Sequence, residues 1–318
     1  MPAQPPLDRF AAARRIAELR LQADDNIREQ HVVSRVVLKQ WTDRTRCLHA
    51  VSVTDRTARV IARGPGGLGK IPSFVPRASR SAEERWAMTE RHVPRLVRLC
   101  DTDAILDDPD AAATLRDLVA LHLVRTRSFW RVHVQGFRHE REALRQRART
   151  FPGYANDFQR RFGRPPRTDE DHDFYFEMVL AQRSDIDFHS GLTFRYSVER
   201  MFDRCRAWMA DRQIQIVHPS SGEFLVGDAP VVLLDRRGRL EPGVGVTLGN
   251  ASQILMPVTP QSLVAFGPTA KGEVAAHVVD ELNTYQVRAA HTHVFVRPGS
   301  GLENFVRSTR FDSIAATA

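Results

Sequence analysis

The chain has 318 residues, which is enough for one large domain or two modest ones with a hydrophobic core. Hydrophobic residues make up 42% of it, but no stretch approaches the roughly 20 consecutive apolar residues that a membrane-spanning helix needs. The N-terminal sequence lacks the apolar core of a secretory signal, and three widely spaced cysteines, Cys47, Cys100 and Cys205, are typical of reduced thiols. We therefore expect a cytoplasmic protein without a membrane partner.

The charge is unevenly distributed along the chain. The net charge is +8, from 46 Lys and Arg against 38 Asp and Glu. Residues 1–150 hold 28 of the basic and 18 of the acidic residues, so the basic excess lies in this half. Only three of the basic residues are lysines, and arginine is better suited to bidentate contacts with phosphate or carboxylate. Two explanations stay open: the codon usage of a GC-rich genome, or an anionic partner such as a nucleic acid or nucleotide.

The chain begins with a helical pattern that is followed by strand-like ones. Apolar residues at helical spacing among charges predict an amphipathic helix over residues 7–26. Residues 31–41 contain two Val-Val pairs and fit either a short helix or a strand. Residues 47–53 and 57–63 flank a polar turn, which predicts a β-hairpin.

The middle of the chain carries helix-start signals. Ser81 and Glu84 form a capping-box pattern that predicts the start of a helix, and Pro94 predicts a kink within it. Pro109 follows two aspartates and predicts the start of the next helix, because proline suits the first helical position and acids suit the positive end of the helix dipole. We expect this helix to break near Gly136 and to be followed by further helices.

From Ile214 onward the pattern changes to short β-rich runs separated by Gly, Pro, Ser and Asn. A helix around residues 279–290 and a last strand, His-Val-Phe-Val-Arg, end this region. The predicted fold class is α+β, with an N-terminal helix and β-hairpin, a helical middle and a C-terminal antiparallel sheet in a single large domain. The predicted segments are an N-terminal amphipathic helix (1–26), one α+β domain (27–300) with a helical part (about 81–212) and a β-rich part (about 213–297), and a C-terminal tail (301–318).

A glycine-rich segment, residues 64–70, matches the G-x₄-G-K pattern of a phosphate-binding loop. That loop requires a preceding strand, a following helix, and a Ser or Thr directly after the lysine. Here Ile71 takes the place of the hydroxyl residue, and Pro72 interrupts any following helix. We therefore expect a glycine-rich turn and not a phosphate-binding loop.

Candidate metal ligands are sparse. Asp185, Asp187 and His189 alternate along the chain, and His291 and His293 are two residues apart, so each group has donor types that metal sites use. No further ligand stands at a diagnostic spacing, and no C-x₂₋₄-C pair is present. We expect no required cofactor, while a divalent metal stays open.

Residues 30–41 have a histidine, a leucine and an aromatic residue at the spacing of a His-Tyr-x-Pro-x-x-Tyr-Leu-x-x-Phe signature. His31, Leu38 and Trp41 match it, whereas Val, Ser and Val replace its Tyr, Pro and Tyr. Further patterns follow in the same order: Ile71 to Phe74, Glu83 and Glu90 seven apart, Arg125-Thr126, Asp228-Ala229-Pro230-Val231, Pro257 and Pro260, and Asn283. In this series the chain resembles domain-of-unknown-function family 4238 over about residues 27–297. The resemblance implies a one-domain α+β architecture and no established activity.

Four polar residues of these patterns, His31, Glu90, Arg125 and Asp228, form a hypothetical catalytic set. If they converge, His31 is suited to general acid or base catalysis near neutral pH, and Glu90 or Asp228 would orient its ring. Arg125 would hold an anionic group and stabilise developing negative charge. Such a set predicts a phosphoester-directed hydrolase, with a nuclease as the expected class.

The expected substrate-binding residues are Arg35, Lys39, Arg127 and Asn283, which would hold an anionic ligand or a nucleic acid. The same patterns fit a structural role, since helix Glu–Arg pairs are often buried ion pairs and Asp before Ala-Pro often forms a turn. Two non-catalytic classes also stay open: a nucleic-acid- or nucleotide-binding protein, and one half of a bacterial toxin–partner or defence system. The sequence carries no signal for an oligomeric state.

Overall fold

The change in hydrophobic pattern near Ile214 separates a helical part of the chain from one rich in strands. Helices form 55% and strands 15% of the structure, which confirms the α+β class. The computed structural model describes residues 9–22, 25–151, 153–238, 247–267 and 272–312. None of the helices described there is long and apolar enough to cross a membrane.

Most of the helices lie before Ile214, as the pattern predicts. They are α1 (Arg9–Leu21), α2 (Arg35–Leu38), α3 (Ser79–Glu90), α4 (Val93–Asp101), α5 (Pro109–Val124), α6 (Arg127–Arg149), α7 (Tyr154–Phe162), α8 (Asp169–Tyr175), α9 (Gln182–His189), α10 (Leu192–Ala210), α11 (Ala276–Ala289) and α12 (Leu302–Arg307). The ambiguous segment 31–41 contains the end of a strand, then α2 and a short 3-10 helix.

The strands are short and lie at both ends of the chain. They are β1 (Glu29–His31), β2 (Leu48–Ser52), β3 (Ile61–Arg63), β4 (Lys70–Pro72), β5 (Ile214–Pro219), β6 (Val226–Gly227), β7 (Val232–Leu234), β8 (Gln253–Thr259), β9 (Ser262–Phe266), β10 (Glu273–Val274) and β11 (His293–Val296). A strand, β4, therefore follows the glycine-rich turn where a phosphate-binding loop needs a helix.

Local signals set some helix starts and not others. Asp108 caps α5 as expected: its side chain accepts a hydrogen bond from the backbone N–H of Ala111 at 2.9 Å, and Pro109 is the first helical residue. The predicted start at Ser81 is wrong, because α3 begins at Ser79. A capping-box pattern marks a helix start only when the chain before it is not already helical.

The helix breaks also differ in place from the predicted ones. Pro94 is the second residue of α4, so the chain ends one helix and starts another there instead of kinking a single helix. The predicted break near Gly136 is wrong: α6 runs unbroken over 23 residues, and no described atom beyond the chain neighbours and the backbone of α6 itself lies within 4 Å of where a Cβ on Gly136 would be. The break comes earlier, at Arg125 and Thr126 between α5 and α6.

Hydrogen bonding groups the described strands into two larger sheets and one ladder. The first sheet has the order β10-β5-β9-β8-β7 and is antiparallel except for β10, which pairs parallel with β5. The second has the order β3-β2-β11-β6 and is antiparallel throughout. β1 and β4 form the ladder, in which His31 lies opposite Lys70. The antiparallel C-terminal sheet is thus confirmed, with one parallel edge.

The predicted hairpin is completed by a strand from the end of the chain. β2 pairs with β3 as expected, and its other edge pairs with β11, so Ala50 lies between Ile61 and Phe295. Helix α11 packs on both sheets: Val279 belongs to the apolar cluster of the five-stranded sheet and Val287 to that of the four-stranded one. The hairpin and the C-terminal strands therefore share a core.

Backbone contacts divide the chain into two compact units. The helical unit contains residues 1–26, 75–79 and 130–197, and the sheet unit contains residues 27–74, 80–129 and 198–318. In the helical unit, α1 occupies the predicted N-terminal helix, and Leu19 packs against Ala78 and Leu192. Residues 1–8 and 23–24 of that predicted helix lie outside the described residues.

The C-terminal end differs from the predicted tail. Residues 302–312 are helical, and Val306 is fully buried in the core of the four-stranded sheet. Residues 313–318 lie outside the described residues. The boundaries of a single domain over residues 27–300 stay a prediction.

We predict that Trp41→Phe lowers the free energy of unfolding by about 1–3 kcal/mol. The Trp41 indole is fully buried, and its Nε1–H donates to the backbone carbonyl of Phe224 at 2.9 Å, so phenylalanine leaves that carbonyl without its partner. Urea unfolding of the full chain measures the change. Trp208→Phe is the control, because Trp208 is partly exposed. Equal stability losses for the two variants would contradict the prediction.

Candidate functional site

Three side chains of the candidate site lie on one face of helix α3. Glu83, Trp86 and Glu90 are three and four residues apart, and this spacing places their side chains on the same side of a helix. Two of them are the glutamates of the family pattern. The seven-residue spacing thus corresponds to two turns of one helix.

The break after α5 sets the position of Arg125. Its backbone has φ −91° and ψ 43°, which ends the helix, and the Thr126 hydroxyl accepts a hydrogen bond from the backbone N–H of Phe129 at 3.2 Å as α6 begins. The Arg125 side chain is only 1% exposed, so its charge lies inside the sheet unit. The Arg-Thr pattern is therefore a helix junction with an inward arginine.

A buried ion pair forms the centre of the site. Nη1 of Arg125 donates to Oε1 of Glu90 at 2.6 Å, and the Ser34 hydroxyl donates to the same oxygen at 2.6 Å. The guanidinium carbon lies 4.5 Å from the centroid of the Trp86 ring, which is a cation–π contact. Burial alone raises the pKa of Glu90, but Arg125 and the Ser34 hydroxyl hold it below its ordinary value. Glu90 is therefore an anion at neutral pH.

His122 connects this ion pair to α5. Its Nδ1 lies 2.8 Å from the carbonyl oxygen of Leu118, and its Nε2 lies 3.2 Å from the backbone nitrogen of Ser34. A carbonyl only accepts and a backbone N–H only donates, so Nδ1 carries the proton and the ring is neutral. Complete burial, with a contribution from the charge of Arg125, lowers the pKa of His122 to about 4.

Several buried polar atoms of the site make no hydrogen bond with the described residues. They are Nε2 of His31, Oε1 of Glu83 and Nε of Arg125. Buried polar atoms are normally paired, so unpaired ones close to a single ion pair mark a place where water or a ligand would bind. We refer to the residues of this site as the His31 cluster: His31, Ser34, Glu83, Trp86, Glu90, His122 and Arg125.

The surroundings shift the pKa values of His31 and Glu83 in opposite directions. Burial lowers the pKa of His31, and the charges of Lys70 and Arg125 lower it further against the opposing effect of Glu90. Burial raises the pKa of Glu83, with Arg125 opposing and Glu90 adding to the rise. His31 is therefore neutral near pH 7, and Glu83 binds its proton more tightly than an exposed glutamate does.

Asp228 has a different set of contacts. Its carboxylate accepts hydrogen bonds from the backbone N–H groups of His291 (2.7 Å), Thr292 (2.8 Å) and His293 (3.3 Å) and from the Thr292 hydroxyl. These donors occupy both oxygens and hold the turn that leads into β11. The structure thus pairs Glu90 with Arg125, whose charges act on His31, whereas Asp228 anchors a turn.

Asn283 is also engaged with the backbone. Its Oδ1 accepts from the backbone N–H of Leu225 at 3.0 Å, and its Nδ2 donates to the carbonyl of Glu223 at 2.9 Å. The side chain is 1% exposed, so these contacts attach the segment before β6 to α11. Because both ends of the amide are occupied, we leave Asn283 and Asp228 out of the proposed site.

The other three expected binding residues are exposed. Arg35 is the first residue of α2, Lys39 follows in a 3-10 helix, and Arg127 is the first residue of α6. The charge of Arg35 acts on His31 and contributes to lowering its pKa, after burial, Lys70 and Arg125. Among these three residues, Arg35 is therefore the one whose charge acts on the His31 cluster.

The candidate metal ligands do not assemble into one group. Asp185 accepts from Nε of Arg141 at 3.2 Å, and Nε2 of His291 lies 2.8 Å from the Ser128 hydroxyl. Across the ranges that the structure describes, no three or more His, Cys, Asp or Glu side chains are grouped so that they could hold a metal ion. All three cysteines are free, and burial raises the pKa of Cys100 and of Cys205 to about 12.

The comparison with known families covers this whole site. A family model described as "Protein of unknown function (DUF4238)" matches residues 29–300. The chain belongs to the DUF4238 family. No curated protein and no solved structure is significantly similar to the chain. The family description names no activity, so the function of this DUF4238 member has to be argued from the His31 cluster.

Four residues of the His31 cluster were not among the predicted site residues: Ser34, Glu83, Trp86 and His122. A signal for His122 was present, because it precedes Arg125 by three residues and such residues share a helix face. Ser34 replaces the proline of the family signature, and only the fold shows that its hydroxyl reaches Glu90, 56 positions along the chain.

We predict that the free energy of unfolding falls as the pH drops from about 6.5 to about 4, by about 3 kcal/mol for His122 alone. The unfolded chain binds a proton that the buried ring does not take up until its lower pKa of about 4 is reached. Glutamine does not titrate, so the stability of His122→Gln should fall less steeply as the pH drops. Some fall should remain in this variant, because burial lowers the pKa of His133 to about 4 as well.

Urea unfolding at a series of pH values measures this effect. His277→Gln is the matched control, because His277 is exposed on α11. The prediction fails if His122→Gln and His277→Gln lose stability with the same slope.

We predict that Lys70→Met raises the pKa of His31. Burial is the largest cause of the low pKa of His31, but the charge of Lys70 is the next, and removing it favours the protonated ring. NMR titration of the His31 ring measures the change, with Lys39→Met as a control that removes the same charge from an exposed residue. An unchanged or lower pKa in Lys70→Met would contradict the description of the site.

Proposed function

We propose that the chain is a phosphoester-directed hydrolase of the nuclease type that acts in the cytoplasm, with His31 as the general base and Glu83 as the general acid. The observation that supports this proposal is the presence of two buried acid–base atoms without a hydrogen bond among the described residues, Nε2 of His31 and Oε1 of Glu83, in residues on which the charges of Arg125 and Glu90 both act. Groups whose surroundings shift their pKa values in opposite directions are typical of acid–base pairs in active sites.

The proposed reaction assigns one proton to each group. Nε2 of neutral His31 takes a proton from the attacking water or hydroxyl group as its oxygen bonds to phosphorus. The bond from phosphorus to the leaving oxygen breaks, and protonated Glu83 gives its proton to that oxygen. The raised pKa of Glu83 favours the protonated form that this step needs, and the lowered pKa of His31 favours the neutral ring.

Arg125 acts in this proposal as a positioning residue. Its guanidinium donates to Glu90 and packs over the Trp86 ring, so it is already engaged and is not assigned to a substrate phosphate in the way that we expected from the sequence. Its positive charge instead adds to burial and to Lys70 in lowering the pKa of His31, and together with the Ser34 hydroxyl it lowers the pKa of Glu90. The substrate anion would be held by exposed residues near His31, of which Arg35 is the first.

A non-catalytic anion-binding protein is the second candidate. The exposure of Arg35, Lys39 and Arg127 supports it, because exposed cations can hold an anion without any acid–base group. Such a protein would bind the same anion with the same exposed arginines but would not turn it over.

We predict that wild type cleaves total RNA, tRNA or DNA and that His31→Asn slows cleavage by about 100-fold or more, as the loss of a general base does. Glu83→Gln should slow it similarly and remove the decline of the rate at high pH, since the amide cannot lose a proton. Gel assays with and without Mg²⁺ measure both effects.

His277→Asn is the matched control, because it removes an exposed imidazole from the sheet unit. Near-UV circular dichroism checks that each variant is folded. The hydrolase proposal is rejected if folded wild type cleaves none of the three nucleic acids. It is also rejected if His31→Asn cleaves at the wild-type rate. Salt-sensitive binding without cleavage would favour the second candidate.

A further inference from the structure

One segment accounts for most of the net positive charge of the chain. Residues 27–77 contain ten Lys and Arg but only three Asp and Glu, an excess of seven in a chain whose net charge is +8. The segment includes His31 and the ladder, hairpin and glycine-rich turn that surround it in the sequence. The charge asymmetry of the chain is therefore located next to the proposed site.

Most of these cations are free of ion pairs. Lys70 pairs with Glu29 at 2.6 Å and Arg56 with Asp312 at 2.8 Å. Among the described residues, the following are exposed and form no ion pair: Arg28, Arg35, Lys39, Arg44, Arg46, Arg59 and Arg63. A set of exposed, unpaired arginines costs stability through repulsion unless an anion neutralises it, so it points to a polyanionic partner.

The acidic residues of the segment do not balance this charge. The Asp43 carboxylate accepts from the backbone N–H and hydroxyl of Thr45 at 2.8 and 2.6 Å and from the backbone N–H of Cys47. Asp55 accepts from the backbone N–H and hydroxyl of Thr57, both at 2.8 Å. Both carboxylates therefore serve their own turns.

The glycine-rich turn lies among three of the arginines. A Cβ placed on Gly66 would lie 3.6 Å from Cδ of Arg35, and one placed on Gly67 would lie 3.7 Å from Cδ of Arg63. The carbonyl oxygen of Arg46 is 3.6 Å from the corresponding position on Gly64. The side chains of Arg35 and Arg63 and the backbone of Arg46 thus border one turn, which we call the arginine turn: Arg35, Arg46, Arg63 and residues 64–69.

The arginine turn leads directly to His31. The carbonyl of Gly69 accepts from the backbone N–H groups of Val32 at 2.8 Å and Val33 at 3.3 Å, and the next residue, Lys70, lies opposite His31 in the ladder. Gly69 has φ +65° and a Cβ there would lie 3.0 Å from Cδ1 of Leu38, so glycine permits this close packing. The turn and the candidate general base are therefore held by the same hydrogen bonds.

We infer that the arginine turn holds the phosphate backbone of a nucleic acid and presents one phosphodiester to His31, an inference that rests on the proposed function and names its substrate as a polymer. A single phosphate group would neutralise one or two of the seven exposed cations, whereas a nucleic acid supplies one charge per nucleotide. Arginine forks suit bidentate contacts with successive phosphates and carry no base preference.

The test measures binding of the full chain to a 20-nucleotide fluorescent single-stranded RNA by anisotropy, with DNA of the same sequence and a duplex as parallel arms. Three contacts, from Arg35, Arg46 and Arg63, predict that affinity falls by about 20-fold between 50 and 200 mM salt. The triple variant Arg35→Gln, Arg46→Gln, Arg63→Gln keeps none of these contacts, so its affinity should fall by less than about threefold over the same range.

The matched control removes the same net charge from elsewhere: Arg131→Gln, Arg138→Gln, Arg147→Gln on α6, all exposed. We expect it to bind and respond to salt as wild type does. Equal weakening in both triple variants would show only a bulk charge effect and would overturn the inference, as would full competition by inorganic phosphate at concentrations that leave ionic strength unchanged.

The outcomes separate this inference from the proposed hydrolase. Binding that is lost in the arginine-turn variant but unaccompanied by cleavage supports the polymer surface and rejects the hydrolase. Cleavage that depends on His31 but persists in the arginine-turn variant with unchanged KM supports the hydrolase and rejects the polymer surface. If both hold, His31→Asn should bind RNA within about twofold of wild type, because neutral Asn removes no phosphate contact.

Discussion

The buried pair of Arg125 and Glu90 is the interaction on which the site depends. A guanidinium with 1% exposure loses its hydration on folding, and direct contact with a carboxylate offsets the free-energy cost of this desolvation. Removal of either partner leaves an isolated charge, at a cost of about 3–5 kcal/mol. The pair in turn fixes Ser34, whose hydroxyl shares the Glu90 oxygen, and through Ser34 the neutral ring of His122. The start of α2, the end of α3 and the end of α5 thus meet at the ion pair of Arg125 and Glu90.

The same pair modifies the electrostatics of the unpaired groups around it, where burial has the largest effect. Burial lowers the pKa of His31 and the charge of Arg125 lowers it further, whereas burial raises the pKa of Glu83 and the charge of Glu90 adds to the rise. The other member of the pair opposes each shift, so the directions of both pKa shifts are set by burial. A stabilising interaction and the titrating groups therefore belong to one group of residues.

The sequence predicts the features that depend on neighbours along the chain. Asp108 and Pro109 start a helix because a cap needs only the next three residues, and the hairpin follows from two strands around a turn. The predictions fail where distant partners decide. Asp228 meets backbone donors at residues 291–293 and Asn283 meets those at 223 and 225, and no local pattern shows which donors a side chain will meet.

The pairing of β2 with β11 has a consequence for synthesis of the chain. Ser52 of β2 lies opposite His293 of β11, so about 240 further residues are synthesised after β2 before the strand that pairs with its edge is present. Contacts this distant in sequence slow folding, and an uncovered strand edge can pair with other chains. The hairpin therefore leaves the ribosome well before the strand that completes its sheet, and the growing chain carries an open β2 edge through most of translation.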